Sequence, residues 1–412
     1  MSTSLNTLTI DARLALRNIL RQRRRTGIAL LAIAFGVVAM MLATGYIEWI
    51  HWANREVVAV TQLGHIQISK PGFQKGGRSD PLSYLMSETA PVAEITRGTP
   101  GLRSASPRLQ FNGLVSHEES TISFIGEGVD PDKDPSGHNL AILSGSPLSN
   151  ADPKGIQMGI GLAANLGVKA GDTVVLLANS STGGINAVEV HVRGLSSTYM
   201  KAYDDTTLRV PLATAQELLR TRGGHLWVLA LENTDLTEKA LAHLRAQPAA
   251  RTHEIVSWHD LADFYNKTVE LFSRQMGVVK LIIALIIVLS ISNTMTMSVM
   301  ERTVEIGTSM ALGVRRRRIL GLFLIEGGLL GAIGGGVGVT LGYLAAQLIS
   351  AIGIPMPPAP GMSRGFIAGI IITPDIVLQA LLLAVSTTLI ASIYPAWRAS
   401  RLVIVDALRH SR

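Results

Sequence analysis

The 412-residue chain contains no cysteine. No disulfide, thiolate metal site, cysteine nucleophile or lipidated cysteine is available to it, so any segment outside the cytoplasm folds without disulfides. Charge is scarce as well. Asp, Glu, Lys and Arg make up 16% of the residues, against about 25% in average soluble domains. Catalytic signatures are also missing. No Gly-x-x-x-x-Gly-Lys-Ser/Thr loop occurs, so if the protein uses ATP, another polypeptide is expected to supply the site. His253-Glu254 followed by His259 has the wrong spacing for a zinc-protease helix, whose second His stands four residues after the first. No Gly-x-Ser-x-Gly elbow is present. Asp130, Asp132 and Asp134 begin like a calcium loop, but Pro135 replaces the required Gly and Ala141 the closing Glu. An acidic surface turn is the better reading.

Apolar length is what the chain does have. Thr26 to Ile47, Leu281 to Met300, Ile319 to about Ser350 and Ile376 to Trp397 are apolar runs. Each is about 30 Å or more as a helix, enough to cross a hydrocarbon core. A wholly soluble enzyme, a disordered chain and a fibrous repeat are excluded. The first run has 22 residues, longer than the 7–15 or so of a signal-peptide core.

The net charge of +7 has a telling distribution. Residues 1–25, 300–318 and 398–412 hold 15 Lys/Arg against 4 Asp/Glu, whereas residues 49–275 hold 20 against 23. Short basic flanks beside apolar runs are a topology signal and argue against nucleic-acid binding. They place both termini and the loop between the second and third runs in the cytoplasm. The segment 49–275 and the Pro-rich loop Pro355 to Pro360 then lie outside.

The predicted fold is an α-helical membrane protein of four transmembrane helices with a mixed α/β extracytoplasmic domain inserted between helices 1 and 2. The division reads: 1–25, cytoplasmic amphipathic basic segment; 26–48, first helix; 49–275, extracytoplasmic domain; 276–300, second helix; 301–318, cytoplasmic loop; 319–350, third helix; 351–375, external loop; 376–397, fourth helix; 398–412, cytoplasmic tail. Alternation predicts strands at His65–Ile68, Thr121–Ile125, Thr173–Leu177, Val188–Val192 and Thr207–Val210. Periodicity predicts helices at Gly159–Leu166, Leu212–Arg220 and Thr237–Arg245, and a loop at Asn179–Asn186. Leu261, Phe264, Thr268, Leu271, Phe272 and Met276 extend the second membrane helix outward, as one helix over 258–300. Glu48 to Leu63 extends the first. Such stalks either couple external to internal motion or simply pack beside each other.

Within the third run, Gly327, Gly331 and Gly335 stand four residues apart, and so do Gly334, Gly338 and Gly342. Small residues at that spacing let helix backbones approach closely in a membrane. Glu326 is costly at its depth. It is either functional or paired, Arg318 being about 12 Å away along the axis. Ser290, Ser292, Asn293, Thr294, Thr296 and Ser298 make the second helix polar toward one end, for interhelical hydrogen bonds or for a substrate path. Leu5, Leu8, Leu14, Ala15, Ile19 and Leu20, interleaved with Arg13, Arg17 and Arg21, suit an amphipathic helix at the inner headgroups or a plain basic flank.

Met297 to Gly313 reads MSVMERTVEIGTSMALG and is followed by four arginines and the Gly-rich run. It resembles the hallmark of the FtsX/MacB-like (type VII) permeases of ABC transporters. Arg17-Asn18 with Arg24-Arg25-Thr26, and Pro395 to Arg401 ending in Ala407-Leu408-Arg409, resemble that family's approach to its first helix and its C-terminal signature. Gly64 to Ile68, Gly126 to Pro131, Gly171-Asp172 and Asp204-Asp205 leading to Val210-Pro211-Leu212 resemble its periplasmic domain. The layout is closest to lipoprotein-release permeases of the LolC/LolE type.

The resemblance implies porter-like and smaller β-rich external subdomains, and a pair of permeases, homo- or heterodimeric, on two copies of a separate ATPase. ATP and Mg bind to that ATPase, and no cofactor binds this chain directly. The implied ATPase-coupling residues are Glu301, Arg302, Glu305, Gly307, Ala311, Leu312 and Gly313. The protein is expected in the cytoplasmic (inner) membrane, extracting or exporting a lipoprotein, lipid or other amphipathic substrate, with a periplasmic adaptor or lipoprotein carrier as further partner. The alternative is an FtsX-like regulator that acts on an envelope hydrolase or sensor without transporting anything.

Overall fold

The computed structural model describes residues 13–403, apart from 16, 19, 20, 22, 78–79, 87–89, 135–139, 199 and 359–364. Most of the expected amphipathic N-terminal segment, and the tail motif Ala407-Leu408-Arg409, lie outside the described residues.

In chain order, helix α1 (Arg23–Glu56) continues as a π-helical stretch to Leu63. Strands β1 (Ile66–Ser69), β2 (Leu102–His117), β3 (Ser120–Val129), β4 (Ala141–Gly145) and β5 (Gly155–Gly159) precede α2 (Ile160–Leu166). Then come β6 (Thr173–Asn179), β7 (Ile185–Ser197), β8 (Thr207–Pro211), α3 (Leu212–Leu219), β9 (Leu226–Leu231), α4 (Thr237–Ala246) and β10 (Glu254–Ser257). Three long helices follow, with one short one among them: α5 (Asp263–Glu301), α6 (Thr303–Ala311), α7 (Arg316–Ile352) and α8 (Pro374–Ser400). A two-stranded pair, β11 (Ile354–Met356) and β12 (Phe366–Ala368), stands between the last two.

Contacts divide the chain into two units, one of residues 1–51, 269–354 and 367–412, the other of 52–268 and 355–366. The second unit contains the β-rich domain. Its strand β2 serves two lobes. The first half of β2 pairs with β9, in the open order β10-β1-β9-β2, covered by α4. The second half enters a ring, β2-β3-β8-β5-β7-β6, that closes because β6 pairs with both β2 and β7. Closure leaves no free edge among those six strands. Leu109, Phe111 and Val115 alternate inward from β2, and α2 and α3 add Leu162, Leu166 and Leu218 to the same core.

The expected strands and helices of this domain are present within a residue or two at most ends. Strands Leu102–His117, Ala141–Gly145, Gly155–Gly159, Leu226–Leu231 and Glu254–Ser257 lie outside those expected; in the first, polar residues and Pro107 conceal the alternation. The continuous helix expected over 258–300 is interrupted. Ser257 caps a single turn, Trp258–Leu261, in a capping box with Asp260. Ala262 then leaves the helical conformation (φ −89°, ψ 53°) and α5 starts at Asp263. The box satisfies the first amide groups of a separate turn, and Trp258 and Ala262 are buried with Ala59.

The reading of Asp130, Asp132 and Asp134 as a surface turn needs correction at its last member. Asn150 bridges Asp130 and Asp132, but Asp134 is buried. It accepts from Arg108 Nη2 at 2.8 Å and from Arg209, with Glu127 beside both guanidiniums. Buried charges persist only when paired. The partners lie 26 and 75 residues away in sequence.

In the first unit, α1, α5, α7 and α8 are each long and apolar enough to cross a membrane. The two glycine series of α7 face different neighbours. A Cβ at Gly331 would meet Thr388 Oγ1 and the Ala384 carbonyl of α8, and one at Gly335 would meet the Ala384 side chain. Gly327 faces Ser392 and Thr388. On the other face, Gly334 meets Ile33, Gly338 meets Val37 and Ala34, and Gly342 meets Met41, all of α1. Hydrogen in place of a side chain is what lets α7 contact both helices at backbone distance.

Candidate functional site

The residues from the end of α5 to the start of α7 form one charged cluster. Glu301 ends α5 and pairs with Arg25 Nη2 at 2.5 Å. Arg302 then breaks the helix (φ −98°, ψ 13°), so α6 sets off as a separate element. Its side chain turns inward and is buried. Arg302 Nη1 lies 3.3 Å from Glu326 Oε2, its Nε 3.4 Å from Glu305 Oε2, and its guanidinium carbon 5.6 Å from the centre of the Phe323 ring. Planar guanidinium serves here where ammonium could not: it bridges two carboxylates and stacks on an aromatic face at once.

Glu326 is therefore paired, but with Arg302 rather than Arg318. Arg318 is eight residues away on the same helix. Arg302 reaches Glu326 from the preceding turn, across 24 residues of sequence.

Helix α6 is two-faced. Ile306 and Met310 join the apolar core of the bundle, and Gly307 is buried between them. Glu305, Ala311, Leu312 and Gly313 are exposed, Leu312 to 83%. Gly313 ends the helix with φ +93°, in a region that side-chain-bearing residues rarely occupy. Arg21 donates to Glu305 at 2.5 Å. Burial alone would raise the Glu305 carboxyl, but the hydrogen bond and charge of Arg21, with Arg302 adding to them, hold it below the usual carboxylate range.

The structure thus links Arg302 and Glu305 with Arg21 and Glu326 in one ion-pair network, pairs Glu301 separately with Arg25, and exposes Ala311, Leu312 and Gly313 at the end of α6. Sequence reasoning missed Arg21, Arg25 and Phe323 as members. The two arginines read as generic topology signals, and nothing in the sequence separates them from Arg23 or Arg24. Among the described residues, no group of three or more His, Asp or Glu side chains could hold a metal ion.

Comparison with known proteins covers most of the chain. A family profile described as FtsX-like permease C-terminal matches residues 277–404, and one described as MacB-like periplasmic core domain matches residues 26–247. An uncharacterized ABC transporter permease of Bacillus subtilis (strain 168), YvrN, is 31% identical over 186 residues, 45% of this chain and 42% of that protein. The macrolide export ATP-binding/permease protein MacB of Hyphomonas neptunium is 27% identical over 420 residues, 97% of this chain and 60% of that protein. An uncharacterized ABC transporter permease of Methanocaldococcus jannaschii, MJ1507, is 23% identical over 414 residues, 96% of both chains. The chain thus spans less than two thirds of the first two relatives.

Proposed function

The chain belongs to the FtsX-like permease family and carries a MacB-like periplasmic core domain, and on that premise we propose that it is the permease subunit of an ABC transporter driven by a separate ATPase. The geometry of α6 carries this reading. One face is fixed in the helix bundle by Ile306, Gly307 and Met310, while Glu305 and Leu312 are exposed at its surface. A helix held on one side and exposed on the other suits the groove of a motor domain.

In this reading Glu301, Arg302, Glu305, Gly307, Ala311, Leu312 and Gly313 form the coupling contact, and two ATPase copies dock there with their ATP and Mg. The protein sits in the cytoplasmic membrane with both termini on the ATPase side, as its basic flanks favour. A second permease, identical or paralogous, completes the assembly. ATP-driven motion of the helices is transmitted to the periplasmic domain and expels or extracts an amphipathic substrate. A lipoprotein, a lipid or a hydrophobic small molecule all fit. The macrolide-export name of the Hyphomonas relative supports the last class. A periplasmic adaptor or carrier takes over the cargo.

The test is to purify the tagged chain from its native membrane and identify by mass spectrometry what accompanies it. An ABC ATPase together with lipoprotein, lipid or an envelope adaptor is the expected result. An ATPase with a hydrolase or sensor kinase and no cargo would replace transport by regulation. Absence of any ATPase from an intact complex would overturn the proposal.

A further inference from the structure

Two arginines at the start of the first membrane-length helix stand opposite two glutamates at the start of α6. Arg21 and Arg25 are four residues apart in helical backbone, so their side chains leave the same face one turn from each other. Glu301 and Glu305 are also four apart, on either side of the break at Arg302. Arg21 meets Glu305 and Arg25 meets Glu301, each at 2.5 Å, so the two segments run antiparallel along a ladder of two rungs. The arginines between them take no part. Arg23 and Arg24 are exposed and make no ion pair among the described residues. Nor is the segment a loose flank, because Ala15 is fully buried.

The ladder supplies a constraint that the inner contacts of α6 do not. Ile306 and Met310 seat the helix in the bundle, but apolar burial is non-directional and lets a short helix roll about its buried stripe. A charge-assisted hydrogen bond has a preferred direction. Glu305 is gripped from within by the buried Arg302 and from the solvent side by Arg21, and Arg25 holds Glu301 one turn earlier. The four side chains of the ladder are 34–58% exposed. Exposed pairs contribute little to folding stability, so their effect here is on orientation.

We propose that Arg21 and Arg25 are positioning residues of the coupling contact: through Glu305 and Glu301 they fix the roll of α6, and with it the direction in which Ala311 and Leu312 meet the ATPase. Glu301 then contributes through Arg25 rather than by touching the ATPase. The inference rests on the permease reading and adds to it two residues that precede the apolar span of the first membrane helix.

The test is a charge swap on the Arg25–Glu301 rung, whose glutamate pairs with Arg25 alone among the described residues. Arg25→Glu and Glu301→Arg, each in the full chain in its native membrane, should lower the co-purified ATPase about fivefold. The double variant should return it to within about twofold of the parent. Arg21→Glu should act as Arg25→Glu does, and Arg21→Lys should retain most of the ATPase. Arg24→Glu, the same charge change outside the ladder, should leave recovery unchanged. A double swap that restores nothing overturns the proposal and places Glu301 against the ATPase itself. An equal loss from Arg24→Glu overturns it by reducing the arginines to bulk charge. The chain has no native cysteine, so the ladder is also checked with no ATPase and no charge reversal. Arg25→Cys with Glu301→Cys should be joined by a short bis-maleimide, read as a linked peptide by mass spectrometry. Absence of that link overturns the proposal even where a charge variant fails to insert. A parental chain that forms the link but carries no ATPase removes the permease reading, and the coupling role with it. A parental ATPase with a failed swap removes only the positioning role.

Discussion

Arg302 and Glu326 are joined side chain to side chain at 3.3 Å, both buried, one at the break before α6 and the other on α7. The pair fixes where α6 leaves the bundle. A membrane-depth carboxylate and a buried guanidinium each explain the other's presence.

That mutual dependence predicts a non-additive pair of substitutions. Arg302→Met or Glu326→Leu alone leaves one buried charge without its main partner and should cost about 3–5 kcal/mol. The double variant should recover most of that loss. Thermal unfolding of the detergent-solubilised chain, read as a double-mutant cycle, checks it. Additive losses would mean the two groups are independent.

Reversing the exposed charge of α6 should act on association. Glu305→Lys places an ammonium against Arg21 and Arg302, while the apolar face of Ile306 and Met310 is untouched. At least a tenfold drop in co-purified ATPase is expected, with membrane insertion unchanged. Unchanged recovery would remove α6 as the coupling contact.

Two glycines of α7 make opposite predictions. Gly338→Leu drives a side chain into Val37 and Ala34 of α1, and overpacking of this kind costs about 1–3 kcal/mol. Gly336 has nothing within 4 Å of a built Cβ, so Gly336→Ala should leave stability unchanged or slightly raised. Unfolding midpoints of both variants against the parent give the comparison.

His225 gives the periplasmic domain a pH dependence. Its ring is fully buried, Nε2 accepts from the Gln110 backbone N–H at 3.0 Å, and Nδ1 has no partner among the described residues. Burial lowers its pKa to about 4. The unfolded chain takes up a proton near pH 6.5 that the folded chain refuses until about pH 4. Stability is therefore full above about pH 6.5 and falls by roughly 3 kcal/mol on acidification to pH 4. His65, lowered by burial as well, adds to the same slope. Urea unfolding at several pH values should show the fall, and His225→Gln should flatten it without abolishing it.

Much of this architecture was legible without coordinates. Four apolar runs with basic flanks admit few folds, because lipid requires every backbone group to be bonded within its own helix. The two four-residue glycine series were visible as packing surfaces. The element ends at Gly313 and Leu166 follow from local turn chemistry, which is written in adjacent residues.

Relationships between distant residues were decided by the tertiary structure alone. Which helix each glycine series meets depends on how the bundle closes, and α1 and α8 are both apolar enough to serve. Glu326 has Arg318 on its own helix, yet the chain break at Arg302 brings a different guanidinium to it. Asp134 belongs in sequence to an acidic turn, but the ring of strands carries Arg108 and Arg209 to it and buries all three. Local sequence sets propensity and periodicity. The choice among equally charged or equally apolar partners is made by packing, which no window of neighbouring residues contains.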